Sequence, residues 1–574
     1  MSLMSSSQTL AQMTFEQIIQ APDVNACVIR RNDFNKPWIR DDPNVRFGKL
    51  LADNYVYFYA KNEILDILLN DNSTKFSCII LGLLSQIDLE ASGITAVQQQ
   101  PYLSLRGGGT LIGIIDTGID FTNTAFQWED GNSKIQALWD MTIPGAPPES
   151  YLLGSEYTQD QITLALRSDD PHSIVPHHDT DGHGTFLAGM AASHDAGMYT
   201  GAAPDAELVV VKLKEVSNYY RSRALIPEEQ HNAFESCDLM LGIDYCLAVA
   251  QKLGRPISVC IGLGTNQGGH DGYNVLEDYL TAISYQSGVA VCAAAGNESR
   301  AKHHASGALA STGATEEVEI RVGDSRHSVY LSLWNTASDR MSVSLQSPTG
   351  EVVSRIPARS GEITTTRLVM ENATVRVNYG FPLSGSGGQV TTVRIFDPTP
   401  GIWKLNIYGE IILNGSYHVW LSMTGLGNPT AEFLLPDPNY TVVVPATALG
   451  VITCGAFNST DKSLFITSSW GPTRHSRASP NLTAPGVEVG GISSQNGYTA
   501  LSGSSVAAAI TAGASALLLQ WGLVDGNEST MNTYHIRAIL IRGCDRDPGV
   551  QYPNHQWGYG RLNLYNSFLQ LRVS

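Results

Sequence analysis

The spacing of apolar and polar positions changes rhythm several times along this chain of 574 residues. Up to about residue 100 it is mixed. VYFYA (56–60) predicts a strand, NEILDILLN (62–70) an amphipathic helix, and FSCIILGLL (76–84) a buried strand. The polar run ITAVQQQP that follows has little to bury and predicts an exposed linker. From about 106, wholly apolar runs alternate with longer amphipathic ones. GTLIGIIDTG, ELVVVKL (207–213), RPISVCIGLG and VAVCAAAGNE read as strands covered on both faces, and FESCDLMLGIDYCLAVAQKLG (234–254) and VLEDYLTAISYQSG as the helices that cover them. Repeated β-α-β units predict a doubly wound parallel sheet with its site at the carboxyl ends of the strands.

From about 315 to 435 the period falls to two. VEIRVG, SVYLSLW, TVRVNYG, QVTTVRIF and WKLNIYG are short alternating runs separated by Gly, Pro and Asn, which predicts an all-β sandwich, a jelly roll, inserted into the α/β unit. The α/β pattern then returns in YTVVVPA, VITCGAF and the helix VAAAITAGASALLLQWG. The expected fold class is α/β: an N-terminal α+β unit over 1–98, a parallel-sheet domain over 99–312 and 438–574, and a β insert over 313–437.

Composition narrows the partners. The net charge of −18 repels nucleic acid and anionic membrane, so neither is expected. No run approaches ~18 consecutive apolar residues, and no transmembrane helix is expected. The beginning, MSLMSSSQTLAQMTFEQIIQ, has neither a basic nor an apolar signal region, which predicts cytoplasmic synthesis without a secretion signal. The eight cysteines form no Cys-x-x-Cys pair and read as buried free thiols.

Three glycine-framed segments carry candidate chemistry. Asp116 ends the apolar run LIGIID. His183 lies between Gly182 and Gly184 at the start of an apolar helix, where the backbone can approach closely. Ser505 follows Ser502-Gly503-Ser504 at the N-terminus of a small-residue helix, a place that stabilises developing negative charge. Singly, each has a bland alternative: a strand-end Asp, a structural His, a Ser N-cap.

Together, in the order Asp, His, Ser, they resemble the subtilisin-type serine peptidases. Further segments support the resemblance: Ala295-Gly296-Asn297, Ile261-Gly262-Leu263-Gly264, Ser469-Trp470-Gly471-Pro472, Thr483-Ala484-Pro485-Gly486 and Trp557-Gly558-Tyr559-Gly560. The resemblance implies Ser505 as nucleophile, His183 as general base and Asp116 as its orienting partner. It further implies Asn297 as oxyanion donor, with Gly262, Leu263, Gly264 and Gly296 walling the substrate site. Ser504 stands where the family usually has Thr, and Ser505 is preferred because Ala507 then falls where the family expects Ala.

The architecture is similar to the Csp proteases of spore-forming clostridia and related Firmicutes. That similarity implies a prodomain that acts as chaperone and inhibitor, is cut by the enzyme itself and stays bound. It also implies a protein or peptide substrate, a spore-associated location, and activation of a cortex-hydrolase zymogen in germination. The exposed Gln run predicts the cut after Gln98 or Gln99, since Pro101 disfavours the bond after Gln100. A silent sensing protein that keeps the triad as a relic, or an intracellular housekeeping peptidase, fits the same residues. No cofactor is expected. No metal is expected either: His177-His178…His183 lacks zinc spacing, and FTNTAF after Asp120 lacks the acidic residue of a calcium site. His303 and His304 are expected on a solvated loop.

Overall fold

The computed structural model describes residues 9–51, 54–70, 79–83, 90–194, 199–324, 327–494 and 497–571. Its centre is an eight-stranded sheet in the order Leu482–Pro485, Ile452–Phe457, Val289–Ala294, Ile257–Ile261, Leu111–Asp116, Glu207–Lys212, Ile135–Asp140, Ser155–Thr158. Every neighbouring pair is parallel except the last, where the edge strand runs antiparallel. Leu111–Asp116 and Val289–Ala294 are buried at every position, as expected of strands covered on both faces.

Two apolar layers do the covering. On one face, the helices His183–Ala192 and Ser504–Leu519 pack on Ile112, Ile114, Val210 and Cys292. On the other, Ser236–Leu253 and Val275–Ile283 pack on Leu111, Ile115, Val259 and Val291. The helix that begins at Ser504 is apolar enough to cross a bilayer, but all its residues through Leu519 are buried in the core. Its small residues allow close approach: a methyl group on Gly513 would lie 2.3 Å from Ala202 Cβ. The seven described cysteines are buried and form no disulfide among the described residues; Cys78 lies outside them.

Two antiparallel sheets interrupt this unit. One has six strands, from His304–Ala308 at one edge to Ile363–Arg367 at the other, and one has five. They share a separate core of Leu331, Leu333, Val343, Val393, Trp403, Leu405 and Val419. Strand Gln389–Phe396 alternates strictly between buried and half-buried positions, as a sheet with one covered face requires. The unit begins at His304, before the expected boundary of 313. The expectation of a solvated His303 and His304 fails here. His304 is 1% exposed on the first strand, and His303 is mostly buried against Glu298.

The N-terminal residues form a three-stranded antiparallel sheet, Val24–Arg30, Tyr55–Lys61 and Val45–Leu51 in that order, with the predicted helix at Asn62–Asn70. Ile80–Leu83, the described part of the third predicted element, leaves this sheet and pairs elsewhere. The segment read as an exposed linker is instead anchored. Ile94 and Val97, on the short helix Ile94–Gln98, are fully buried in the core under the parallel sheet, so that core begins to recruit chain before residue 98.

Candidate functional site

The site lies where the topology predicts, at the carboxyl ends of the central strands. Asp116 is the last residue of its strand and is buried. Its Oδ1 accepts the Thr117 amide at 2.8 Å and meets His183 Nδ1 at 2.7 Å. His183 opens its helix behind Gly182, which sits at φ 90°, a conformation that favours glycine. Gly184 is required by packing, since a methyl group there would lie 2.2 Å from Gly118 O. The outer nitrogen of His183, Nε2, is 3.2 Å from Ser505 Oγ. Three segments distant in sequence thus converge on one Asp–His–Ser chain of contacts.

The two adjacent serines have different work. Ser504 Oγ accepts the Gly296 amide at 2.9 Å, while the Ser504 amide donates to Asn297 Oδ1 at 3.1 Å. Ser504 is therefore committed to fixing the Gly296–Asn297 turn, and Ser505 alone faces the imidazole. With the Asn297 oxygen taken by Ser504, its amide nitrogen is left as the donor, which is what an oxyanion site needs. Gly296 is at φ 103° and packs so closely that a methyl group would meet Val443 Cγ1 at 2.6 Å. At Gly262 a methyl group would lie 3.2 Å from both His183 Cε1 and Ser505 Cβ. A side chain at 262 would press directly on the reacting pair.

Leu263–Gly264 forms an edge beside this pair, and Phe234–Glu235 forms a second edge. Ile80–Leu83 lies between them as the middle strand of a small antiparallel sheet: Leu83 pairs with Leu263, Gly82 with Gly264, Ile80 with Glu235 and Leu81 with Phe234. Along this strand, the step from Gly82 to Leu83 leads from Gly264 toward Gly262 and Ser505. Gln98 and Gln99 are placed otherwise. The Gln98 side-chain Nε2 donates to Gly201 O and Ala202 O at 3.0 and 2.9 Å, and Gln99 caps the same helix. The bonds expected to be cut lie at the C-terminal end of a short helix held on the core by Ile94 and Val97.

Sequence reasoning missed Asp179. Its Oδ1 accepts the Gly182 amide at 2.9 Å, and its Oδ2 accepts the Thr185 amide and hydroxyl at 2.9 and 2.6 Å. It therefore supplies the acceptors that the first turn of the His183 helix lacks. Burial raises the Asp179 carboxyl, but these bonds outweigh it and hold the group below its ordinary value. The signal was an Asp four residues before His183. Glu298, beside Asn297, was missed too. It is buried, accepts from Asn266 Nδ2 at 3.0 Å and meets His303 Nδ1 at 2.6 Å. Burial favours the neutral form of both; the pairing wins, lowering the carboxyl and raising the imidazole.

Among the described residues, one group of side chains is close enough to share a metal ion: Glu235, Cys237 and Asp238. Lys214 already stands among them, with Nζ 2.5 Å from Asp238 Oδ2, and supplies the neutralising charge itself.

Comparison with known proteins agrees with this geometry. The subtilase family model matches residues 107–355 and 421–560. The solved structure of the Clostridium perfringens CspB protease superposes with a TM-score of 0.75 at 29% identity, covering 84% of this chain and 99% of that one. The Saccharomyces cerevisiae subtilase-type proteinase RRT12 is 35% identical over 158 residues, 23% of this chain and 30% of that protein. The Bacillus subtilis serine protease AprX is 29% identical over 156 residues, 23% of this chain and 32% of that protein. The chain thus matches about a third of the length of each of these last two.

Proposed function

Because the chain belongs to the subtilase family and is a serine peptidase, we propose that it cuts its own N-terminal segment, keeps that segment bound as an inhibitor, and activates a protein zymogen by limited proteolysis in spore germination. The N-terminal unit is read as a prodomain and the two-sheet unit as an inserted jelly roll. The observation that carries the reading is the strand Ile80–Leu83, seated as the middle strand between Leu263–Gly264 and Phe234–Glu235. An extended segment of the chain's own N-terminus occupies the place where a substrate backbone would add to both edges. Similarity to the CspB protease along nearly its whole length supports the zymogen and germination parts.

The chemistry follows from the distances. Ser505 Oγ attacks the scissile carbonyl while His183 Nε2 takes its proton, and His183 returns that proton to the leaving amine. Asp116 keeps the imidazole in the tautomer with Nδ1–H and stabilises its charged form. Asn297 Nδ2 and the Ser505 amide at the helix start receive the oxyanion. Water then attacks the acyl enzyme by the same route in reverse.

On this reading the cut falls on the carboxyl side of Leu83, before the anchored helix at Ile94, a proposal supported by the direction in which the strand runs past Gly264 and Leu263. The test is the intact mass and N-terminal sequence of recombinant wild type beside Ser505→Ala. We expect wild type in two pieces, the larger beginning between residues 84 and 90, and Ser505→Ala whole. A new N-terminus at Gln99 or Gln100 would restore the Gln-run cut, and two uncut proteins would favour the silent sensing reading.

A further inference from the structure

A second buried Asp–His pair stands two strands from the first. Asp116 and Asp140 end parallel strands that flank Glu207–Lys212, and both register with the same residue, Lys212. His177 Nδ1 is 2.6 Å from Asp140 Oδ2, and neither residue is exposed to solvent. No substrate can reach this pair, and the peptidase mechanism does not use it.

The outer nitrogen of His177 shows what the pair is for. The Ile119 amide donates to His177 Nε2 at 3.1 Å. An amide N–H can only donate, so Nε2 must be the bare nitrogen and Nδ1 must carry the hydrogen, given to Asp140. Asp140 is fixed in turn: its Oδ1 accepts the amide and hydroxyl of Thr142 at 2.8 and 2.6 Å. The ring lies hard against Gly118, where a methyl group would be 2.8 Å from His177 Cε1. The turn it holds, Thr117 to Ile119, leaves directly from Asp116. Its other side carries the start of the catalytic helix, through Thr117 Oγ1, which accepts the Gly184 amide at 2.9 Å.

The geometry points to Asp140 and His177 as a positioning pair for the peptidase reaction, locking the Thr117–Ile119 turn so that Asp116 stays aligned on His183. The pair touches no reacting atom and acts only through this turn. Burial raises the Asp140 carboxyl, but its contacts with His177 and Thr142 hold it below its ordinary value.

Three substitutions separate this role from bulk packing. Asp140→Asn is nearly isosteric. The Thr142 amide keeps the new side-chain oxygen, so the NH₂ faces His177 Nδ1. The ring must then carry its hydrogen on Nε2, against the Ile119 N–H. His177→Asn keeps a donor for Asp140 and loses the acceptor for Ile119. His177→Gln places an oxygen near the Nε2 position and keeps that acceptor. The experiment measures kcat and KM on a small chromogenic peptide, per site titrated with a serine-directed phosphonate, with melting temperature alongside. Asp140→Asn and His177→Asn should lower kcat about 10- to 100-fold with KM within about twofold, the range a sub-ångström misplacement can cost. His177→Gln should recover most of the loss.

The proposal is overturned if Asp140→Asn keeps wild-type kcat per titrated site, or if His177→Gln is as impaired as His177→Asn at equal melting temperature. If His177→Asn does not fold, Asp140→Asn decides alone. A second readout is independent of turnover: the low-field proton resonance of His183 Nδ1–H should weaken or shift in Asp140→Asn, and an unchanged resonance also overturns the proposal. An inert wild type that takes no phosphonate would instead count against the peptidase activity on which this inference rests.

Discussion

The pair Asp116–His183 and the pair Asp140–His177 are built alike and differ in what the outer imidazole nitrogen meets. Both carboxylates end a parallel strand, and both contact Nδ1, at 2.7 and 2.6 Å. In the first pair Nε2 faces a hydroxyl, Ser505 Oγ, which can give up its proton. In the second it faces a backbone amide, which cannot. The first lies against Gly262, beside the edge Leu263–Gly264, and the second is wholly enclosed by its own chain. The role of an Asp–His pair is therefore set by its third partner, which decides whether the pair moves a proton or holds a turn.

That contrast can be broken or sharpened by mutation. The largest effect belongs to Ser505→Ala, which should lower kcat about 10⁶-fold, as removal of a triad nucleophile does. Its neighbour gives the control: Ser504→Ala removes only the acceptor for the Gly296 amide and should cost on the order of tenfold. Next comes Asp116→Asn at about 10⁴-fold, through the wrong tautomer of His183. Kinetics of Asp116→Asn beside Asp140→Asn set one tautomer error at the reacting ring against another at the supporting ring. Losses of equal size would erase the distinction between the pairs. Asn297→Ala should fall between, at about 10²–10³-fold in kcat with KM little changed.

The smallest effect concerns imidazoles that have no bonded carboxylate. Where the two-sheet unit meets the α/β unit, His270 stacks on Trp420 with ring centroids 4.2 Å apart, and His304 Nε2 meets His418 Nδ1 at 3.1 Å. Burial pushes His270 and His304 down to about 4, and His418 well below its ordinary value. An unfolded chain takes up these protons near ~6.5, so between about 6.5 and 4 it binds more protons than the folded one. These depressed values mean stability that is complete above ~6.5 and lost as pH falls toward 4. Melting temperature should drop over that window, and His418→Asn should shallow the slope. Parallel slopes for wild type and variant would remove His418 from the account.

The triad was legible because each member sits in a local glycine frame that the packing demands: Gly184 against Gly118, Gly262 against His183 and Ser505. The parallel sheet was legible because its central strands are covered on both faces and read as nearly continuous apolar runs. What stayed hidden depends on contacts far apart in sequence. Nothing near His177 announces Asp140, 37 residues away, or Ile119. The Gln run looked like a linker because polarity was read without Ile94 and Val97, the two apolar residues that anchor it. The apolar run at 76–84 was read as an ordinary core strand, although Ile80–Leu83 spends its backbone bonds on the groove edges. His303 and His304 were read as solvated because pairing with Glu298 and stacking on Trp420 are invisible locally.

The most direct test of the central claim is a peptide map of the protein after reaction with a serine-directed phosphonate. The adduct should fall on Ser505 alone and vanish in His183→Ala. An adduct on Ser504, or none on folded wild-type protein, would contradict the assignment of Ser505 as the nucleophile.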